Sequence, residues 1–363
     1  MSKININVEN HLPILDFSHL DQVSAYHALG KAVGIQARKI LKRKMRKEHD
    51  TLARARYLHQ SIIAKINDIG IHQKIRFSIS DYLACVQSWA EGAKLNHPAF
   101  TSLELGLLLQ DDNSGCQTGF FRERSGAVAF WHTEEDIDEL HFRRVDQPRL
   151  MRYKTANGLV IHSFIYPDLL PGSTFNWRSD GHVQLVDALL LKDDLPKIGL
   201  PANLFAWLNL HVYPEISLDH LFSALQPFFD GYALFSAGVI NDVVDVKRIE
   251  FCQDDKLLVE LGQNPGNSLI QVNIFSNENQ PMAKKYERHP FRDRTHYEQR
   301  IQRAQQILQG ILRTDDAQAV VGRMLFSKEG GQYAFNNKDV KAFLYGRIST
   351  GGLNIYAAPG CGV

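Results

Sequence analysis

Apolar residues recur every three to four positions from residue 22 to about residue 110. Tyr26, Leu29, Val33 and Ala37 form one stripe, and the spacing continues through the charged run Arg38–Arg56. This predicts a mainly helical first third, with one helix over Ile79–Lys94 and Ser80 or Asp81 as its N-cap. After Asp111 the period shortens. Gly119–Phe121, Ala127–Trp131 and Leu159–Tyr166 are short apolar or alternating runs bounded by Gly, Asn or Pro, which predict strands. Helical spacing returns over 201–228, through Leu204, Trp207, Leu208, Leu218, Leu221, Phe222 and Leu225. Strand-like runs then follow at Ala233–Ile240, Val243–Phe251, Lys256–Leu261 and Leu269–Phe275. A helix is expected over Asp293–Leu312, where Tyr297, Ile301, Ala304, Ile307, Leu308 and Ile311 share a face, and short strands are expected to finish the chain. This order of helical and strand blocks, without internal repeats, predicts an α+β protein with sheets covered by helices.

Length and charge narrow the function classes. A chain of 363 residues suggests two domains or one large α/β domain with an extra segment. The 41 Lys+Arg residues balance 40 Asp+Glu, which argues against a dedicated nucleic-acid binder. The basic cluster Arg38–Lys47 then reads as a solvated helix face. The first residues lack the apolar core of a signal peptide, and no window reaches the ~20 apolar residues of a membrane span. A soluble cytoplasmic protein is the expectation. Cys85, Cys116, Cys252 and Cys361 show no CxxC spacing, so neither a disulfide scaffold nor a structural zinc site is expected. Walker, dinucleotide, zinc-protease and α/β-hydrolase motifs are absent from the sequence. The segment His132–His141 resembles a metal cluster by composition, but strand alternation would send neighbouring side chains to opposite faces. An acidic turn is therefore the first expectation there, ahead of a catalytic carboxylate or a metal ligand set.

Cys116 stands where the helical part meets the strand-rich part, in Asp111-Asp112-Asn113-Ser114-Gly115-Cys116-Gln117-Thr118-Gly119. Turn-forming residues precede it and a strand is expected to begin at it. An N-terminal nucleophile requires that context. The thiol would attack the carbonyl of Gly115, whose missing side chain leaves it open and free to distort. Hydrolysis after the N-to-S acyl shift would free a Cys116 α-amine with a reference pKa of about 7.7–8.0, able to act as the nucleophile's own base. On spacing alone, an inert cysteine is the plainer reading.

Longer stretches add to this. Gly115-Cys116-Gln117-Thr118 and Trp131-His132-Thr133-Glu134-Glu135 resemble the Gly-Cys-Thr and Gly-His-Asn-Glu-Asp motifs of the isopenicillin-N acyltransferase family. Tyr26–Gly30, Trp89–Ala93, Tyr166–Gly172, Phe175–Gly181, Gly199–Phe205, Asp245–Glu250, Val272–Phe275 and Arg300–Arg303 resemble further family segments in the same order. The family consists of autoproteolytic amide hydrolases and acyltransferases.

The resemblance implies a four-layer αββα N-terminal-nucleophile fold with a helical N-terminal segment. It implies a zymogen cut between Gly115 and Cys116 into a mainly helical α segment, residues 1–115, and a β segment, residues 116–363, which stay associated as one domain. Cys116 would be both autoproteolytic and catalytic nucleophile, acting on a small-molecule amide or acyl-CoA thioester without cofactor, metal, nucleic acid or membrane. Asn273 would be an oxyanion donor. Glu135, or Asp136 with a one-residue shift, would orient the Cys116 amine. The chain departs from the family at Thr133 for Asn, Glu135 for Asp, Asp168 for a turn Gly, Trp207 for Arg and Tyr297 for Ser. These changes fit a divergent branch with another substrate. They also fit an unprocessed, non-catalytic relative serving as a binding or accessory protein.

Overall fold

The computed structural model describes residues 5–47, 51–110, 115–135, 147–276, 279–288, 294–311, 328–329, 332–333 and 340–360. Two short strands, β1 (Asn5–Asn10) and β2 (Ile14–Asp16), precede four helices: α1 (Gln22–Lys47), α2 (Thr51–Asn67), α3 (Gln73–Gly92) and α4 (Ser102–Leu109). Next come β3 (Gly115–Arg122), β4 (Val128–Glu135), β5 (Arg149–Lys154), β6 (Val160–Ile165), β7 (Asn176–Arg178) and β8 (Val183–Ala188). After α5 (Ala202–Val212) and α6 (Leu218–Leu225) the chain forms β9 (Phe228–Ile240), β10 (Val243–Gln253), β11 (Asp255–Glu260) and β12 (Ser268–Val272). It ends with α7 (Gln280–Tyr286), α8 (Arg294–Ile311), the small pair β13 (Lys328–Glu329) and β14 (Gln332–Tyr333), then β15 (Val340–Ser349) and β16 (Gly352–Pro359).

The longer strands form two mixed sheets. One has six strands in the order β1-β16-β15-β4-β3-β12; the other has eight, β11-β10-β9-β8-β7-β6-β5-β2. Each is antiparallel except at one edge, where β1 runs parallel to β16 and β2 parallel to β5. Thus residues 5–16, which carry no helical pattern, add an edge strand to both sheets.

Period-two alternation tells which face each sheet turns where. Phe120, Val128, Phe130, Leu344 and Ile355 of the six-stranded sheet pack with Phe164, Val183, Leu185, Phe235 and Val246 of the other, so the sheets bury these faces against each other. The opposite face of the six-stranded sheet meets α8, with Phe121, Trp131 and Phe343 against Ala304 and Leu308. The opposite face of the eight-stranded sheet, through Met151, Ile161, Val186 and Leu234, packs under α1–α6.

The helices carry the expected stripes with shifted ends. α3 begins at Gln73, six residues before the expected start, because Ile75 extends the buried stripe of Ile79, Tyr82, Val86 and Trp89. His72, not Ser80 or Asp81, is its cap, accepting the Lys74 N–H. The segments around Tyr26–Gly30 and Trp89–Ala93 meet here. A Cβ on Gly30 would lie 2.0 Å from the Trp89 carbonyl oxygen, and one on Gly92 would lie 2.1 Å from that of His27. These glycines let α1 and α3 touch backbone to backbone. The basic cluster is anchored rather than wholly solvated: Arg38 donates to the Ala93 carbonyl, and Lys44 to those of Leu108 and Leu109 at the end of α4. No helix among the described residues is long and apolar enough to cross a membrane.

Candidate active site

The layer between the sheets is apolar along most of its extent but polar at one end. Cys116 and Thr118 on β3, His132 and Glu134 on β4, and Gln271 on β12 share the strand parity of Phe120, Phe130 and Leu269, so all face inward. Asp187, in step with Val183 and Leu185 on β8, faces them from the other sheet. All six are essentially sealed from solvent, Cys116 at 1% exposure. Burying so many polar groups is costly unless they are partnered, so their concentration marks a site rather than a packing layer.

Hydrogen bonds connect four of them. Cys116 and Glu134 lie opposite each other in the β3–β4 ladder, and the Cys116 thiol donates to Glu134 Oε2 across 3.6 Å. The Tyr166 hydroxyl donates to the same oxygen at 2.7 Å. Glu134 Oε1 meets His132 Nε2 at 2.9 Å, and His132 Nδ1 meets the Thr118 hydroxyl at 2.7 Å. The backbone N–H of Cys116 donates to Asn273 Oδ1 at 3.2 Å, while Asn273 Nδ2 donates to the Ala188 carbonyl at 2.9 Å. Both ends of the Asn273 amide are thus used, and what it holds is the nitrogen that cleavage before Cys116 would turn into an α-amine.

Glu135 is placed elsewhere. One residue further along β4, it turns to the opposite face, where Arg300 of α8 binds its Oε1 at 2.5 Å and Gln117 Oε1 at 2.8 Å. A shift of one residue reverses the face of a strand side chain, so the carboxylate at the thiol is Glu134, and Glu135, expected to orient the Cys116 amine, faces away from the thiol. Asp136 lies outside the described residues. Arg300 and Glu135 are 8% and 1% exposed, and removing one partner of such a pair strands the other charge. Glu135→Ala is expected to lower stability by roughly 3–5 kcal/mol. A thermal melt checks this, and an unchanged melting temperature would contradict the pairing.

Asp187 is the least satisfied member. Among the described residues neither of its oxygens has a well-formed hydrogen bond; the nearby Thr118 hydroxyl lies 2.7 Å from His132 Nδ1. Burial, first of all, pushes its carboxyl up to about 7. The charges of Glu134 and Glu135 add to the rise, and the charge of His132 opposes it. The folded state therefore binds a proton that an unfolded aspartate has lost above pH ~4, and stability falls as pH rises from about 4 to about 7. Asp187→Asn is expected to melt higher than the parent at pH 8, by up to a few kcal/mol, and nearly level with it at pH 4. Equal gaps at the two pH values would contradict this assignment.

The departures from the family pattern fall outside this cluster. Trp207 sits in the helical layer, donating to Tyr26 Oη at 2.8 Å and packing against Gly172, whose φ of +124° and crowded Cα exclude a side chain. Tyr297 packs with Val272 and Ile274, and Thr133 faces away from Cys116. A cleft of about 690 Å³ lined by Asp21, Gln22, Asp81, Cys85 and Lys154 opens at the start of α1 and is lined by none of the residues around Cys116. His132, Glu134 and Thr118 lie in segments that the sequence singles out, without a role of their own there. Tyr166, as a site residue, and Asp187 carried no signal of their own; only the pairing of the two sheets brings them to Cys116. Neither a protein-family model nor a curated protein matches this chain.

Proposed function

We propose that the protein is a cysteine N-terminal-nucleophile amidohydrolase or acyltransferase of αββα architecture, activated by self-cleavage between Gly115 and Cys116. The observation that carries this reading is the set of contacts made by Cys116. At the start of a strand, its thiol rests on a buried carboxylate while its backbone nitrogen rests on Asn273.

In the uncut chain that nitrogen is an amide and cannot be a base, so Glu134 is the group placed to take the thiol proton. The sulfur attacks the Gly115 carbonyl carbon, the C–N bond breaks, and the proton passes to the leaving nitrogen. Water then cleaves the resulting thioester, giving a Gly115 carboxylate and a free Cys116 thiol and amine. Gly115 is paired with Glu135 at the end of β3, and its release opens the way to a thiol that is now buried. The freed amine, with a reference pKa of about 7.7–8.0 and oriented by Asn273, serves as base in turnover. The thiolate takes the acyl group of a small-molecule amide or acyl thioester, and water or an amine resolves the acyl-enzyme. Packing of α1–α4 into one core with the eight-stranded sheet supports the two fragments staying together after the cut.

Incubation with a panel of acyl-CoA thioesters and simple amides, followed by proteolysis and mass spectrometry, tests this. The expected result is an acyl adduct on a peptide that begins at Cys116. Product formed only when an amine is supplied identifies a transferase, and release to water identifies a hydrolase. Absence of any adduct on a cut chain would contradict the reading.

A further inference from the structure

We propose that Cys116, His132 and Glu134 form a binding site for one zinc-type divalent cation, and that this ion silences the nucleophile of the uncut chain. The silencing rests on the function proposed above; the binding site does not. Among the described residues these three are the one group of such donors gathered closely enough to share an ion, their ligand atoms all within 4.8 Å of one another. A thiol, an imidazole and a carboxylate are the donor types that zinc takes, and three protein ligands leave a fourth position open.

The spacing suits a tetrahedral ion. Bonds of about 2.3 Å to sulfur and about 2.0–2.2 Å to oxygen would separate the two ligand atoms by roughly 3.6 Å. Cys116 Sγ and Glu134 Oε2 lie 3.6 Å apart. His132 Nε2 meets the other oxygen of the same carboxylate, Oε1, at 2.9 Å, so with both oxygens turned to the ion that contact would need to widen by roughly half an ångström. The surrounding groups already behave as an outer shell. Thr118 engages His132 Nδ1 and leaves Nε2 turned towards Glu134 and Cys116, and Tyr166 fixes the carboxylate.

The proton count closes. The ion displaces the thiol proton to solvent. The His132 proton moves from Nε2 to Nδ1, where Thr118 Oγ1 accepts it. One proton leaves per ion bound, and affinity rises with pH. A sulfur lone pair committed to the ion is not available to attack Gly115, so the chain stays whole until the ion is removed.

The test uses the full chain, stripped with a chelator, then titrated with Zn²⁺ by calorimetry and with Co²⁺ by absorption, while cleavage is followed by denaturing mass spectrometry. Expected are one ion per chain, release of about one proton, a thiolate-to-cobalt charge-transfer band, and cleavage slowed at least tenfold by Zn²⁺. Cys116→Ser should lose the band, and His132→Gln should weaken binding at least tenfold. Thermal melts identify a variant that fails to fold. Should His132→Gln fail, Cys116→Ser, which exchanges only sulfur for oxygen, carries the comparison. Absence of the band, with cleavage indifferent to Zn²⁺, overturns the site and leaves the self-cleavage reading standing. A Cys116-dependent band on a chain that stays whole after chelation upholds the site and overturns both the silencing and the self-cleavage reading.

Discussion

Cys116→Ala is expected to yield a single undivided chain of about the full 41.2 kDa and to lose at least ~10³-fold in turnover. The size of the effect follows from the two uses of one atom. Without the sulfur there is no attack on Gly115, and without that cleavage there is neither an α-amine at residue 116 nor a covalent acceptor for substrate. The fold should survive, because alanine keeps the backbone N–H that donates to Asn273 and loses the weak thiol contact to Glu134. Glu134 retains Tyr166 and His132 as partners. A cooperative melt within a few degrees of the unprocessed parent, together with lost activity, is the expected combination. A cut Cys116→Ala chain would place the reactive group elsewhere.

Glu134→Gln carries the second large effect. Glutamine preserves the volume and keeps an oxygen for the Tyr166 hydroxyl, but it cannot take the thiol proton. Removing a positioned general base typically costs about 10²–10⁴ in rate, and self-cleavage should slow by that factor. A merely structural role would lower stability and leave the pH dependence of cleavage alone. A base role predicts that the cleavage rate of Glu134→Gln rises with pH, as solvent hydroxide substitutes for the missing carboxylate. Time courses of cleavage at several pH values decide between them, and a rate unchanged from the parent would remove Glu134 from the chemistry. The parallel variant Glu135→Gln should cleave normally, since that carboxylate faces Arg300 on the other side of the sheet.

The contrast between Glu134 and Glu135 shows how much of the site was legible in the sequence. Alternating runs place strands at 119–121 and 127–131, and the alternation is right: it sends His132 and Glu134 to one face and Thr133 and Glu135 to the other. What alternation lacks is an absolute phase. Which face looks towards the thiol depends on the pairing of Cys116 with Glu134, a contact across eighteen residues set by the turn between β3 and β4. Matching motifs by position chose Glu135 and so crossed the sheet. The same alternation was the argument against a metal cluster at His132–His141. It correctly separates neighbours, yet two residues on one face and a cysteine from the adjacent strand still meet.

The coarse architecture was legible for a different reason. The stripes of α1, α3, α5, α6 and α8 repeat at helical spacing and are buried in the cores beside the sheets, so periodicity alone finds them. β1, β2 and β7 carried no readable pattern because each is short or lies at a sheet edge, where pairing rather than burial decides the conformation. Asp187 is the extreme case. A single aspartate in an apolar run carries no signal of its own, and only the second sheet laid over the first brings it near Thr118 and His132. Asn273, an oxyanion donor by the resemblance, lies beside Cys116 as its position implied. In the uncut chain its amide clamps the nitrogen of Cys116, a role that requires β12 beside β3.

The most direct test of the central claim is the intact mass of the freshly folded, chelator-treated wild-type chain under denaturing conditions. Two species are predicted, ending at Gly115 and beginning at Cys116, which co-elute as one particle before denaturation. A single mass for residues 1–363 in protein that is folded and acylates substrate would contradict it.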